Sequence, residues 1–321
     1  MDFDNRNFAA AQDSLRDFDG MMVATACVWE VTARKVGNVH PKADFKNTSY
    51  MDFLLSAVAL GEFHTQNSGR REARWGLGRW IDMACFRMGG VIRSNTNLGM
   101  ILLLEPLCLP LPQFQALTNP PSGGVYDLRK SVRELLSTTT VEDAEYLYEA
   151  IRRAAPGGLG DAPEQDVREE PTVTLLEAMK LAADRDLIAR QYANGFADVF
   201  DLGVPAFLEA FARFGCVEAA VIDCQLRWMA AFPDSLIARK CGPDVAADVQ
   251  QRVEHVLELG GLETPEGRAA GVALDRHLRS DGNKLNPGTT ADLVTACLFV
   301  ALREGKIPPS APFRWNTPDW L

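Results

Sequence analysis

The apolar residues of this chain recur mainly three and four positions apart, the spacing of one face of a helix. No stretch combines apolar–polar alternation with turn residues at its ends, so few or no strands are expected. We predict an all-α fold, a single large multi-helix domain over residues 1–321 that ends in an aromatic tail at 306–321. Phe313, Trp315 and Trp320 in that tail are expected to dock on this chain or on a partner. The predicted helices include residues 9–35, 49–62, 125–136, 141–155, 175–194, 204–214, 217–232, 243–259 and 265–280.

The segment 175–194 is predicted to be one core helix enclosed by others. Thr174 and Glu177 have the spacing of a capping box at its start, and Gly195 supplies a stop after it. At 3.6 residues per turn, apolar side chains leave almost no side of this helix fully polar. The chain is therefore expected to be organised around this segment.

Charged residues interrupt this segment in two narrow stripes. Asp184 shares one stripe with Lys180, and Asp186 shares the other with Arg190. Residues two apart do not share a helix face, so the two aspartates should point to different surroundings and at most one should be central to a site. Buried carboxylates are costly unless they are paired or coordinate a cation. Asp186 and Arg190 thus form either a structural ion pair or part of a functional site, and Asp184 is the more site-facing candidate.

Composition narrows the classes of function. A formal net charge of −10 disfavours general binding to nucleic acid or anionic membranes, so any phosphate site must be local. The seven cysteines lack zinc-ligand spacing and are typical of reduced core thiols. The N-terminus shows no secretory signal, and Glu105, Pro106 and Pro110 break the longest apolar run. We therefore expect a cytoplasmic protein with no nucleic-acid or membrane partner.

Three polar stretches are candidates for phosphate or metal chemistry. Residues 95–97 open an apolar helix, and a turn at 286–288 precedes Thr289 and Thr290 at the start of another. Free N–H groups at a helix start can bind phosphate, although plain N-capping is the commoner use of such residues. The long acidic loop at 156–171 is either a lid, a metal-facing segment or a solvated loop.

Five segments together, in this order and spacing, resemble the triphosphoribosyl-dephospho-CoA synthase family. The resemblance covers about residues 20 to 305. The matching segments are 34–41 (Arg-Lys-Val-Gly-Asn-Val-His-Pro), 95–99 (Asn-Thr-Asn-Leu-Gly), 164–167 (Glu-Gln-Asp-Val), 184–186 (Asp-Arg-Asp) and 286–292 (Asn-Pro-Gly-Thr-Thr-Ala-Asp). Val36 and Leu98 depart from the proline and lysine of better-known members, which indicates a divergent branch.

The resemblance implies an all-helical enzyme that moves the 5-triphosphoribosyl group of ATP to the ribose 2′-hydroxyl of 3′-dephospho-CoA and releases adenine. The product would be the prosthetic-group precursor for the acyl carrier subunits of citrate lyase and malonate decarboxylase. Two alternatives stay open: the same chemistry on another ribose-bearing acceptor, such as a tetrahydromethanopterin-like precursor, or a non-catalytic nucleotide-binding protein. A homodimer is a further candidate arrangement.

This chemistry needs a carboxylate for the oxocarbenium-like state, a base for the acceptor hydroxyl, and cations or Mg²⁺ for the triphosphate. Asp184 and Asp186 are the catalytic candidates. The candidates for holding Mg²⁺, the expected cofactor, are Asp166, Asp184 and Asp292. The candidates for binding ATP are Lys35, Asn38, Arg93, Asn95, Thr96, Asn97, Gly99, Arg185, Lys284, Asn286, Gly288, Thr289 and Thr290.

Overall fold

The computed structural model describes the backbone of residues 5–67, 75–90, 97–109, 127–154 and 164–321, and side chains from residue 19 onward within these ranges. The described residues form fourteen α-helices and one π-helical turn, Val199–Gly203, and no strand. The predicted all-α class is confirmed. The helices are α1 Asn5–Thr32, α2 Tyr50–Asn67, α3 Leu77–Gly89, α4 Leu98–Cys108, α5 Leu128–Ser137, α6 Val141–Ala154, α7 Leu175–Ala182, α8 Leu187–Asn194, α9 Val204–Phe214, α10 Val217–Ala231, α11 Ser235–Cys241, α12 Pro243–Glu258, α13 Pro265–Leu278 and α14 Gly288–Arg303.

Helix α14 is the element around which the others pack. Every side chain from Leu293 to Leu302 on it is buried. It contacts α1, α4, α8, α9, α10 and α11. An apolar helix that is buried on all sides is what its unbroken hydrophobic sequence requires. The organising element is therefore α14, and the prediction that placed it at 175–194 is wrong.

The predicted single helix over 175–194 is two helices separated by residues 183–186. Asp186 has an extended backbone, and its carboxylate accepts hydrogen bonds from the N–H groups of Ile188 (2.8 Å) and Ala189 (3.0 Å), which makes it the N-cap of α8. An aspartate side chain competes with the preceding turn for backbone N–H groups, so it ends one helix and starts the next. The predicted capping box of Thr174 and Glu177 is present at the start of α7.

Because the helix is interrupted at residues 183–186, Asp186 and Arg190 do not form the predicted ion pair. Arg190 instead donates to Asp198, with Nε 2.8 Å from Oδ2. The helix is also less enclosed than expected, since Leu181 on α7 is 44% exposed.

The aromatic tail docks on this chain through Arg34, just after α1. The Arg34 guanidinium binds Glu218 and donates to the carbonyl oxygens of Trp315 (3.1 Å) and Trp320 (2.7 Å). In return, Trp320 Nε1 donates to the carbonyl of Arg34 at 2.9 Å, and the Trp320 ring is buried. In the part of the chain that the structure describes, no helix has the length and apolar character needed to cross a membrane.

Candidate functional site

A cavity of about 1090 Å³ lies where several helix ends meet. Its wall includes the break between α7 and α8, the first residues of α4 and α14, most of α11, and the loop segments 45–48 and 164–167. This volume is at the upper end of that of small-molecule pockets. All five sequence segments singled out above contribute residues to it: 164–167, 184–186 and 286–292, the segment 34–41 through Asn38, and the segment 95–99 through Asn97 and Gly99.

Asp292 lines this cavity and lies close to several other acids. A Cβ atom at Gly99 would collide with Asp292 Oδ2, so the small residue at the start of α4 lets the carboxylate lie against that helix. Burial, and then the negative charges of Glu30, Asp234 and Asp186, raise the pKa of Asp292 well above its usual range, while Arg239 opposes the rise. Asp292 is the fifth residue of α14, one position beyond its first turn.

The two predicted catalytic aspartates lie at different depths. Asp186 is half-buried, and its Oδ2 is 3.6 Å from a terminal nitrogen of Arg239. Asp184 is exposed on the cavity wall, as is Arg185, whose guanidinium donates to the carbonyl of Leu181 at 3.2 Å. The expectation that the two carboxylates face different surroundings agrees with this. The burial of Asp186 and its charge interaction with Asp292 favour it over Asp184 as the deeper residue.

A chain of amides supports one side of the cavity. Asn38 Nδ2 donates to Asn286 Oδ1 at 2.7 Å, and Asn38 Oδ1 accepts from Gln225 Nε2 at 2.7 Å. Gln225 in turn holds the backbone of Val36 through both its amide atoms. Asn38 and Asn286 line the cavity, and their amides also join the segment after α1 to the turn before α14.

Thr289 and Thr290 lie inside α14 and do not cap it, because the helix begins at Gly288 and its N-cap, Pro287, provides no side-chain cap. Thr290 donates through both its N–H and its hydroxyl to Asp234 Oδ2, each at 2.8 Å, and Asp234 Oδ1 caps α11. Thr289 lines the cavity beside Gly288, and its hydroxyl is 3.1 Å from that of Ser235. Asn97 also lines the cavity at the start of α4, where its side chain makes no capping hydrogen bond.

Three of the predicted ligand-binding side chains are engaged within the protein. Lys35 is fully buried, with Nζ 2.8 Å from Glu30 Oε1, and does not line the cavity. Lys284 is exposed outside the cavity, 3.1 Å from Asp281. Asp166 lines the cavity, but Arg168 donates to both its oxygens at 2.8 Å. Arg93, Asn95 and Thr96 lie outside the described residues.

The carboxylates fit magnesium only in combination with a substrate. Among the residues described, no group of three or more His, Cys, Asp or Glu side chains is arranged to hold a metal ion. Mg²⁺ is commonly held by one or two carboxylates together with substrate phosphates, and it keeps several waters. Asp292 and Asp186 line the same cavity, and the charge of Asp186 helps to raise the pKa of Asp292, so they are the side chains that fit this mode.

The sequence alone did not identify Glu30, Asp234, Arg239 or Lys240, all of which lie in or next to this cavity. Glu30 is buried beneath it and paired with Lys35, and burial raises its pKa despite that partner. Asp234 follows Pro233 and is the N-cap of α11. A sequence can indicate such a helix start, but it does not indicate the hydrogen bond between Asp234 and Thr290. Arg239 and Lys240 lie in the last turn of α11. Cations are common at this position because they interact favourably with the helix dipole, so their presence alone does not indicate a site.

Comparisons with known proteins agree with this picture. The family CitG, ATP:dephospho-CoA triphosphoribosyl transferase, matches residues 20–309. A protein of Pseudomonas savastanoi pv. phaseolicola, named probable 2-(5''-triphosphoribosyl)-3'-dephosphocoenzyme-A synthase, is 25% identical over 248 residues, which are 77% of this chain and 73% of that protein. A protein of the same name from Pseudomonas putida is 36% identical over 113 residues, 35% of this chain and 40% of its own length.

A solved structure from Archaeoglobus fulgidus that carries the name triphosphoribosyl-dephospho-CoA synthase has a similar fold. It is 29% identical, and the similarity covers 71% of this chain and 89% of that one with a TM-score of 0.52. The matched residues of the family include the segments that line the cavity at 164–167, 184–186 and 286–292.

Proposed function

This chain belongs to the ATP:dephospho-CoA triphosphoribosyl transferase family, and on that premise we propose that it moves the 5-triphosphoribosyl group of ATP to the ribose 2′-hydroxyl of 3′-dephospho-CoA and releases adenine. The observation that carries this proposal is the cavity in which Asp292 and Asp186 lie beside Arg239. Carboxylates and a cation in one partly buried site suit the transfer of a sugar that develops positive charge and carries a triphosphate.

The reaction breaks the bond between C1′ and N9 of adenosine and forms a bond from the acceptor oxygen to C1′. Positive charge develops on the sugar, and a nearby carboxylate stabilises it. We assign this role to Asp186, which is half-buried and held in place as the N-cap of α8. The adenine that leaves takes up a proton.

The acceptor hydroxyl must lose its proton as it attacks, and we assign Asp292 as the base. A base is most effective when its pKa lies near the working pH, and burial among acids moves the pKa of Asp292 upward in that direction. Asp184 and Arg185 lie at the exposed wall and are assigned to binding the substrates. Mg²⁺, held by Asp186 and the phosphates, would neutralise phosphate charge and leave Asp292 available as the base.

The test is to incubate the protein with ATP, Mg²⁺ and 3′-dephospho-CoA and to measure adenine by chromatography and the product by mass. Adenine and a product heavier by one triphosphoribosyl group are expected in equal amounts. Dephospho-CoA that lacks the 2′-hydroxyl serves as the control and should yield no product. Absence of adenine with intact dephospho-CoA would rule out the proposed function.

A further inference from the structure

Arg239 is a cation without a hydrogen-bonded partner at the cavity. Its Nε is buried and makes no hydrogen bond to any residue that the structure describes. The nearest carboxylate oxygen, Asp186 Oδ2, is 3.6 Å from a terminal nitrogen, beyond the length of a normal hydrogen bond. A buried donor with no acceptor is costly, and a native structure that contains one calls for an explanation.

Three other arginines show what the fold provides for a guanidinium group, whereas Arg185, exposed on the cavity wall, donates to the carbonyl of Leu181. Arg190 lines the same cavity, and its Nε donates to Asp198 at 2.8 Å. Arg279 and Arg34, farther from the cavity wall, bind the carboxylates of Asp275 and Glu218. The fold thus provides carboxylate acceptors for these three guanidinium groups, while that of Arg239 is left available.

Lys240 adds a second cation next to the first. It lines the same cavity, and none of the ion pairs formed by the described residues includes it. Partial burial, and then the charge of Arg239, lower the pKa of the Lys240 ammonium group. Lys240 is exposed to solvent, which weakens the repulsion between the two cations, and an anion that contacts both would remove it.

We propose that Arg239 and Lys240 form the binding site for the polyphosphate chain of a nucleotide substrate. The planar guanidinium fork of Arg239 suits bidentate binding of phosphate oxygens, and Lys240 adds a point charge. This inference rests on the proposed function and deepens it. It also gives the triphosphate a cationic partner in place of Lys35 and Lys284, which the fold uses elsewhere.

The position of Arg239 links this site to the reacting groups. Arg239 is 3.6 Å from Asp186 and close enough to Asp292 to act on its charge. A phosphate chain held there lies next to the carboxylates assigned to the transfer. Binding would also replace the distant contact with Asp186, leaving that carboxylate available to the sugar.

The test is calorimetric titration of the whole protein with tripolyphosphate, ATP and dephospho-CoA, first without Mg²⁺ and then with it. Arg239→Gln should weaken tripolyphosphate binding at least about tenfold, because charge-assisted bidentate bonds are lost. Lys240→Met should weaken it less, and Arg239→Lys should be intermediate. The matched control is Arg252→Gln on the exposed side of α12, where Arg252 binds Asp248 at 2.8 Å, and its affinity should equal that of the unchanged protein.

The titrations with ATP and dephospho-CoA identify which substrate supplies the phosphates. If the variants bind ATP more weakly but dephospho-CoA equally well, the site holds the triphosphate of ATP. The reverse result assigns the site to the diphosphate of the acceptor. Thermal unfolding shows whether each variant is still folded, so that weaker binding is not mistaken for loss of structure. If Arg239→Gln does not fold, Arg239→Lys and Lys240→Met decide the question.

Tripolyphosphate affinity that stays within twofold in the Arg239 and Lys240 variants would overturn this inference. Adenine release measured in parallel separates it from the proposed function. Release that persists unchanged in Arg239→Gln overturns the phosphate site alone. Polyphosphate binding that depends on Arg239 in a protein that releases no adenine supports the site and overturns only the proposed function.

Discussion

Two charged segments of this chain differ in what the fold does with their charges. In residues 34–40, Arg34 binds Glu218 and the C-terminal tail, and Lys35 binds Glu30. In residues 184–186, Asp184 is exposed at the cavity, and Asp186 uses one oxygen to cap α8 while the other faces Arg239. The first segment uses its charges to hold helices together, whereas the second presents them to the cavity.

The difference teaches that a charged motif shows where charges cluster but not which partner they meet. Burial and hydrogen-bond satisfaction separate the two cases. His40 makes the point for the first segment, because burial and then the surrounding cations Arg279, Lys35, Arg34 and Lys42 lower its pKa to about 3. A segment that keeps a histidine neutral in this way is occupied by internal contacts and has no free cation for a triphosphate.

The largest effect is expected from Lys35→Met, which breaks the buried pair with Glu30. Removing one partner leaves an uncompensated buried charge, so the free energy of unfolding should fall by about 3–5 kcal/mol. Denaturant unfolding monitored by circular dichroism measures it. The double variant Lys35→Met with Glu30→Gln should recover much of the loss, because the carboxylate that needed a partner is gone.

This comparison fails if Lys35→Met keeps its stability but loses affinity for ATP. Lys35 would then be a substrate-binding residue, as the sequence suggested, and the burial of its side chain would have to change on binding. Asp281→Asn, at an exposed pair with Lys284 outside the cavity, is the control and should change neither property.

The next largest effect is expected from Asp292→Asn, on turnover and not on stability. Loss of a general base typically costs about 10²–10⁴-fold in rate, and release of adenine from ATP and dephospho-CoA measures it. Removing a negative charge from among Glu30, Asp234 and Asp186 relieves repulsion, so the free energy of unfolding should stay level or rise. A stable variant with full turnover would remove Asp292 from the mechanism.

The raised pKa of Asp292 adds a pH dependence to the same prediction. A carboxyl that holds its proton to higher pH when folded contributes stability that is complete below its unfolded pKa, about 3.9, and is lost as pH rises through the folded pKa. In Asp292→Asn the free energy of unfolding should therefore decrease less as the pH rises through this range. Turnover of the unchanged protein should rise with pH over the same window as the base becomes ionised.

The sequence predicted the fold well because most helices follow local patterns of apolar spacing and caps. The capping box at Thr174 and Glu177 is such a local pattern, and it was found. The break at 183–186 was missed because its few residues leave the apolar spacing on either side compatible with one continuous helix. The interruption depends on a single N-cap residue, Asp186, which accepts two backbone hydrogen bonds at the start of α8.

The candidate site was harder to predict, because its contacts join residues far apart in sequence. Asp234 bonds Thr290, 56 positions away, and Gln225 bonds Asn38, 187 positions away. No local pattern encodes such partners. Arg239 at the end of a short helix has the usual appearance of a cation that favours the helix dipole, and only its lack of a close carboxylate in the described structure sets it apart.

A smaller effect is expected at Asp186, where two variants separate its cap from its charge. Asp186→Asn keeps the N-cap, since asparagine caps as well as aspartate, so its stability should be unchanged. Asp186→Ala loses the cap as well and should be about 1 kcal/mol less stable. Both should lose adenine release to a similar extent, measured at saturating substrates, if the charge matters to the reaction. Normal turnover in Asp186→Asn would limit this residue to the cap.

The smallest effect is expected from Asp184→Asn. Asp184 is exposed and makes no hydrogen bond or ion pair to the residues that the structure describes, so unfolding should shift by no more than about 0.5 kcal/mol. Solvent screens its charge, so adenine release should fall less than about tenfold, mainly through a higher KM. Initial rates over a range of ATP concentrations measure this. A stable variant with kcat abolished would transfer the catalytic role from Asp186 to Asp184 and make the exposed wall, not the cavity floor, the place of the chemistry.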